Sequence, residues 1–409
     1  MKKQEGRLVT RRSTLELLAG SLVASGRGIT TSARVQQHVV GSQRLRAPGG
    51  RLSREEVHSR LPAGLPLGVA SLIAETLNSP PSLLNTDWFG TTLMQGLLEW
   101  HERGFPEVRP FAESWLVYHQ GRQEVAKCQC PPSRTLPAGR IPITTYAGHY
   151  GLAFACYEMY RQFGNPTARE VCLEVAKIIL HQAARNRWGM VAHDDYADFA
   201  IPDTAYFVVR PLMLAASLDP ECGKIFQEQA LFQLRAYTKT FLVLETGLAK
   251  TVLLSDGLGK TYWTRASGWL MWAMTAALRH LPRESADSTA IQADLRRLAE
   301  GVARVQDESG GLHVWLDQPN SPLESTGTAM CAMALHESVR RGWLPGSFQE
   351  VAAKAWRFVC TNITDDGEIT NAYTLWALPA ERGELSIDER KMGWIPGTIL
   401  RAANELTQV

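Results

Sequence analysis

A turn signal recurs along this chain at nearly constant intervals. Gly104-Phe105-Pro106, Gly164-Asn165-Pro166, Asp219-Pro220, Leu281-Pro282 and Gly342-Trp343-Leu344-Pro345 place prolines 60, 54, 62 and 63 residues apart. Gly just past a helix and Pro at the start of the next are stop and start signals. Acidic residues follow several of these prolines: Glu107, Glu221 and Glu284. Between turns the apolar residues keep helical spacing, as in Phe89, Leu93, Leu97 and Trp100, in Leu152, Cys156, Met159 and Phe163, or in Ile291, Leu295, Leu298, Val302 and Val305. Alternating runs are scarce; Val243-Leu244 and Val252-Leu253 are too short to decide anything. The pattern predicts five αα-hairpins of about 40 residues each. Longer, irregular connections over 122–146, 185–202, 243–262, 305–324 and 363–393 separate them. A helix over about 67–78 and another over about 394–407 remain, and pairing them closes a ring. The expected fold is an all-α, (α/α)6 toroid of six hairpins. Tight turns fall at one end and long connections at the other, where the inner helices begin. Converging helix N-termini favour an anionic ligand at that mouth.

Composition sets limits. The chain has 409 residues, 45% of them apolar, so it can bury a large core. A net charge of +2 gives no reason to expect a nucleic-acid surface. No apolar run reaches the length of a membrane span. Residues 1–33 read as an export signal of the twin-arginine type: Thr10-Arg11-Arg12-Ser13 precede Leu15, Leu17, Leu18, Leu22 and Val23, with a small-residue site at Thr31-Ser32-Ala33. A periplasmic or extracellular location follows if that signal operates, and a cytoplasmic one otherwise. Residues 34–66 read as a flexible lead, and 67–409 as the toroid. The seven Cys include no CxxC pair. Cys128 and Cys130 lack matching ligands for a metal. No dinucleotide or phosphate-loop fingerprint appears, so no cofactor is expected.

The residues that open the inner helices are the candidates for a site. They are Asp87-Trp88, Gly148-His149-Tyr150, Asp203-Thr204, Trp263 to Trp269, and Glu324-Ser325-Thr326. Asp203 and Glu324 also fit simple helix caps. Arg265 stands at the positive end of a helix dipole, a poor place for a cation unless an anion sits beside it. Trp263 and Trp269 flank it in sequence. An indole pair around a guanidinium suits a sugar ring, with one apolar face and a polar edge.

Trp263-x-Arg265-x-x-Gly268-Trp269 resembles the motif of glycoside hydrolase families 88 and 105, the unsaturated uronyl and rhamnogalacturonyl hydrolases. Gly310-Gly311-Leu312-His313 and Leu323-Glu324-Ser325-Thr326-Gly327-Thr328-Ala329-Met330 are similar to a second block of the family, and Gly393 to Glu405 to its closing helix. The first hairpin, Asp87 to Tyr118, fits as well. The resemblance runs over roughly 67–407. It implies that Asp203, in Pro202-Asp203-Thr204-Ala205-Tyr206-Phe207, is the catalytic acid/base. It further implies that His193 and Arg265 bind substrate. Trp263, Trp269, His149, Asp87, Trp88 and Glu324 complete the candidate substrate-binding set.

The implied substrate is an oligosaccharide ending in an anionic 4,5-unsaturated uronate, and the implied reaction is hydration of its double bond. Several positions depart from the family pattern. His149-Tyr150 stand where an Asp is common, Ile201 where a Trp is, and His313 where a Trp is. Residues 243–262 hold no His, leaving Lys250, Lys260 or Asp256 to contribute. Asp194, Asp195 and Asp198 crowd acids where a cation is usual. Two other readings fit these residues. One is a different (α/α)6 carbohydrate enzyme, either an ordinary uronide glycosidase or a polysaccharide lyase. The other is a non-catalytic glycan-binding toroid. The oligomeric state is not legible.

Overall fold

The computed structural model of the chain describes residues 51–122, 140–194, 200–254, 257–373 and 393–408. The helices are α1 Arg54–Arg60, α2 Leu67–Asn78, α3 Trp88–His101, α4 Val108–His119, α5 Leu152–Phe163, α6 Pro166–His181, α7 Pro202–Leu218, α8 Gly223–Phe241, α9 Thr264–Leu278, α10 Ala286–Arg304, α11 Ser325–Arg340, α12 Phe348–Thr361 and α13 Trp394–Leu406. Helices α3, α5, α7, α9, α11 and α13 each pack on the next, and α13 returns to α3. They form the inner ring of an (α/α)6 toroid. Outside it, α4, α6, α8, α10 and α12 each follow an inner helix through a tight turn and pack against it.

Burial separates the two layers. Every residue of α9 is buried, because an inner helix meets protein on all sides. In α10 only a stripe is buried, including Ile291, Leu295, Leu298 and Val302, because its other face meets water. Gly164 shows how a tight turn works. It takes the left-handed conformation at φ 68°, and the Asn165 side chain then caps the Ala168 amide. The ring closes somewhat differently from expectation. The main seam lies between α3 and α13, while α2 packs more lightly on α13 from outside. At that seam Trp100 Nε1 donates to the Leu400 carbonyl at 2.9 Å, and Asn404 Nδ2 donates to the Glu99 carbonyl at 2.9 Å.

The long connections carry three short antiparallel pairs: β1 Leu242–Val243 with β2 Leu248–Ala249, β3 Leu253–Leu254 with β4 Gly257–Leu258, and β5 Leu312–His313 with β6 Leu323–Glu324. The two short apolar runs that decided nothing in the sequence therefore lie at the edges of small hairpins. At the opposite end, cations sit at inner-helix C-termini, where the dipole favours them. Arg340 pairs there with Glu405 at 3.0 Å.

Residues 34–66 are not a flexible lead throughout. Ser53 caps α1 through the Glu56 amide, Val57 is fully buried, and Arg60 pairs with Glu107 at 2.9 Å. The proposed signal over 1–33, and Cys128 with Cys130, lie outside the described residues. Among those described, no helix is long and apolar enough to cross a membrane.

Candidate active site

The mouth gathers most of the predicted residues. Pro202 opens α7 with its fixed φ, and Asp203 follows in the first turn. Asp203 keeps partial exposure, yet its Oδ1 is buried and has no hydrogen-bond partner. Burial pushes its carboxyl up to about 7, while the Arg265 guanidinium pulls it down. It therefore holds a proton close to neutral pH. His193 Nδ1 lies 2.9 Å from the hydroxyl of Thr204, the next residue of α7. His149 sits in a 3-10 turn, Ala147–Gly151, and its Nδ1 meets the Thr144 hydroxyl. Burial lowers both imidazoles to about 4, so both are neutral at physiological pH.

Arg265 stands in the first turn of α9 and is 2% exposed. Its guanidinium lies 4.0 Å from the Trp263 ring and 4.5 Å from the Trp394 ring. Nη1 donates to the Tyr373 carbonyl at 2.7 Å. Burial lowers its pKa to about 10, opposed by Glu324 and Asp203. The second flanking indole is thus Trp394 and not Trp269. One helical turn beyond Arg265, the Trp269 ring points into the core. It meets Phe207 at 5.2 Å and Trp272 at 5.3 Å, and is 1% exposed. Trp88, half-buried at the start of α3, lies 5.1 Å from Trp394. The two make an aromatic wall beside the guanidinium.

Glu324 is fully buried and caps α11. Oε1 accepts from the Thr326 amide at 3.0 Å, and Oε2 accepts from the Gly327 amide. Its carboxylate serves the helix and stands as counter-charge to Arg265. Asp87 is likewise fully buried and caps α3. His313 turns away to the Ser321 carbonyl. Lys250 lies over the Tyr262 ring at 3.5 Å and donates to the Lys260 carbonyl. Asp194 is buried; Asp195, Asp198 and Asp256 lie outside the described residues.

Two residues escaped the sequence reading. Trp394 was hidden because it belongs to the last helix, far from Arg265 in the chain. Tyr146 precedes its helical opening rather than starting it. Its ring meets His193 at 5.0 Å and His149 at 5.7 Å, both edge-on. Burial raises its hydroxyl well above the usual range, reinforced by the nearby carboxyls of Asp87, Asp203 and Asp194. Gly148 makes this approach possible, since a Cβ there would lie 2.3 Å from the Tyr146 ring and 2.7 Å from that of Trp88. The mouth thus combines a protonatable carboxyl, a guanidinium between indoles, and two neutral imidazoles. That set can hold an anionic ring and deliver a proton to it.

The profile of Glycosyl Hydrolase Family 88 matches residues 87–406. The unsaturated rhamnogalacturonyl hydrolase YesR of Bacillus subtilis is 26% identical over 253 residues, which is 59% of this chain and 71% of that protein. The structure of a possible member of family GH105 from Salmonella enterica superposes with a TM-score of 0.67 at 19% identity, covering 89% of this chain and 97% of that one. The unsaturated glucuronyl hydrolase of Bacillus sp. GL1 superposes with a TM-score of 0.57 at 15% identity, covering 80% and 87%. The family match takes in the whole inner ring and every opening that builds the mouth, and the chain is a glycoside hydrolase belonging to Glycosyl Hydrolase Family 88.

Proposed function

We propose that this hydrolase removes a 4,5-unsaturated uronate from the non-reducing end of lyase-generated oligosaccharides. The observation that carries the reading is the raised carboxyl of Asp203, held near a buried Arg265 that is stacked between indoles. Asp203 gives its proton to C4 of the double bond. Water adds at C5, and Asp203, now ionised, takes the proton that water releases. The resulting hemiketal opens and frees the next sugar. Arg265 pairs with the uronate carboxylate, while His193 and His149, both neutral, offer hydrogen bonds to the ring. Trp88 and Trp394 offer it an apolar face. The name of the Bacillus subtilis relative supports a rhamnogalacturonyl-type substrate over a glucuronyl one.

The test is the ultraviolet absorbance of the conjugated double bond in a panel of unsaturated disaccharides incubated with the protein. Loss of absorbance with rhamnogalacturonan-derived members is the expected result. Persistent absorbance with cleavage of saturated uronides would move the assignment to an ordinary uronide glycosidase. Binding without turnover of either would mark a glycan-binding toroid.

A further inference from the structure

His193 lies in the connection from α6 to α7, outside any helix, so its place depends on what holds that connection. Bonds inside it give it a shape. Asn186 Oδ1 accepts the N–H groups of Trp188 and Met190 at 3.0 and 3.1 Å, Gly189 takes φ 76°, and the Ala192 N–H donates to the Ala184 carbonyl at 2.8 Å. Further bonds come from α8, a helix of the outer layer. Gln233 Oε1 accepts the Val191 N–H at 2.8 Å, and its Nε2 donates to the Gly189 carbonyl at 3.0 Å. The Tyr237 hydroxyl donates to the Val191 carbonyl, and the Thr240 hydroxyl lies 3.7 Å from Met190 Sδ. Positions 233, 237 and 240 share one face of a helix, so a single stripe of α8 claims both backbone groups of Val191. Other buried residues of α8, among them Phe226, Ala230, Leu234 and Phe241, are apolar. Gln233 and Tyr237 are fully buried, and a buried amide destabilises a protein unless both its ends are bonded. Here both ends are, and both to this one connection.

We propose that Gln233 and Tyr237 are positioning residues for His193: from the outer layer of the toroid they clamp Val191, and the clamp sets where the imidazole stands at the mouth. This deepens the proposed function and rests on it, since there His193 bonds the sugar ring. Only Ala192 separates Val191 from His193, so a shift of one is carried to the other. The far side of His193 is also fixed, through its carbonyl to the Ala147 N–H at 2.9 Å and through Nδ1 to the Thr204 hydroxyl at 2.9 Å. Tyr237 joins the two sides. Burial raises its hydroxyl, and the Thr204 hydroxyl and the Asp203 carboxyl are close enough to act on it as well. The imidazole is thus held between α8 and the first turn of α7, and its precision is set by residues that lie behind the inner ring.

A double-mutant cycle tests it. Gln233→Met keeps the volume and removes two bonds; Tyr237→Phe removes one and keeps the ring. Each is made in the parent and in His193→Ala, and kcat/KM is measured on an unsaturated disaccharide. Loss of the bonds lowers the melting temperature whatever they do for the site, so the readout is the coupling to His193. Gln233→Met should lower kcat/KM about tenfold in the parent and less than about twofold further in His193→Ala. Tyr237→Phe should show a smaller loss with the same dependence on His193, and it decides the matter alone if Gln233→Met does not fold. Equal losses in the two backgrounds would assign the α8 bonds to the fold only and overturn the proposal, as would parent-like kinetics in both variants. His193→Ala with the parent's kcat/KM would leave the clamp nothing to position and overturn it too. If the parent leaves the double bond intact and cleaves saturated uronides, the proposed function fails, and the same cycle on those substrates still decides the clamp. A parent that turns over neither overturns both.

Discussion

His193 Nδ1 lies 2.9 Å from the Thr204 hydroxyl, which ties the loop before α7 to the helical turn that carries Asp203. The His193 carbonyl also accepts the Ala147 N–H at 2.9 Å, so the openings of α5 and α7 are fixed to each other. Thr204 is fully buried, and Thr204→Val keeps its shape while removing the hydroxyl. The variant should lose about 1 kcal/mol of stability. Its kcat/KM on an unsaturated disaccharide should fall about tenfold, through misplacement of His193 and Asp203. Thr204→Ser should restore activity. Parent-like kinetics in the valine variant would show that this bond does not position the site.

Asp203 titrates at about 7 in the folded chain, against about 4 in an unfolded one. Between those values the folded protein keeps a proton that the unfolded chain has lost. The contribution to stability is therefore complete below pH 4 and is lost as pH rises through 7. Asp87, also at about 7, acts in the same direction. Melting temperatures measured across this range should decline more steeply for the parent than for Asp203→Asn. Activity should follow the same proton. The expected profile of kcat/KM holds a plateau below pH 7 and falls tenfold per unit above it. Asp203→Asn should lower kcat/KM by about 10²- to 10⁴-fold while remaining folded. Retention of full activity would remove Asp203 from the acid's role.

The turn punctuation made the fold legible because each stop and start signal acts within a few residues. Helix α2 falls at the expected 67–78, and the last helix lies within about 394–407. The rim openings were legible for the same reason, since the residues just before the inner helices lie at the end of the ring where the mouth is built. Contacts across the ring were not. Trp394 reaches Arg265 from 129 positions further along the chain, and no local pattern encodes that. Trp269 misled because it neighbours Arg265 in sequence, while its place one turn along α9 points it into the core. Glu324 combined both roles considered for it at the rim, and the cap prevailed: the amides of α11 claim both oxygens. The helix in the supposed lead, α1, went unseen because its buried face amounts to Val57 alone.

Arg265 fills a planar slot between Trp263 and Trp394 and donates to the Tyr373 carbonyl. Lysine offers a point charge and no plane to stack, and burial at this site would draw off its proton. Arg265→Lys should raise KM for an unsaturated uronide about 10- to 100-fold, in line with a charged hydrogen bond of roughly 1.5–3 kcal/mol. The effect should shrink when the carboxylate is converted to its methyl ester, because that removes the charge proposed to pair with the guanidinium. An equal loss on ester and acid would assign Arg265 to holding the indoles rather than the uronate.

The α3–α13 seam sets how closely Trp88 and Trp394 approach, and it has no room for a methyl group. A Cβ on Gly397 would stand 2.5 Å from the Leu93 nitrogen and 2.5 Å from the Thr92 carbonyl carbon, both backbone atoms of α3. Neither can swing aside as a side chain could, so Gly397→Ala must push two inner helices apart. Overpacking of this kind costs about 1–3 kcal/mol or more. The two helices start at the aromatic wall, where the indoles lie 5.1 Å apart. The strain should therefore reach the mouth as well as the fold. Gly397→Ala should lower the melting temperature by several degrees and raise KM together with it. Gly346→Ala, at a turn position with no atom within 4 Å of the added Cβ, serves as the control and should change neither. A Gly397→Ala variant with the parent's melting temperature would show that the ring can close at a wider α3–α13 spacing. Its KM would then report how far the site depends on the separation of the two indoles.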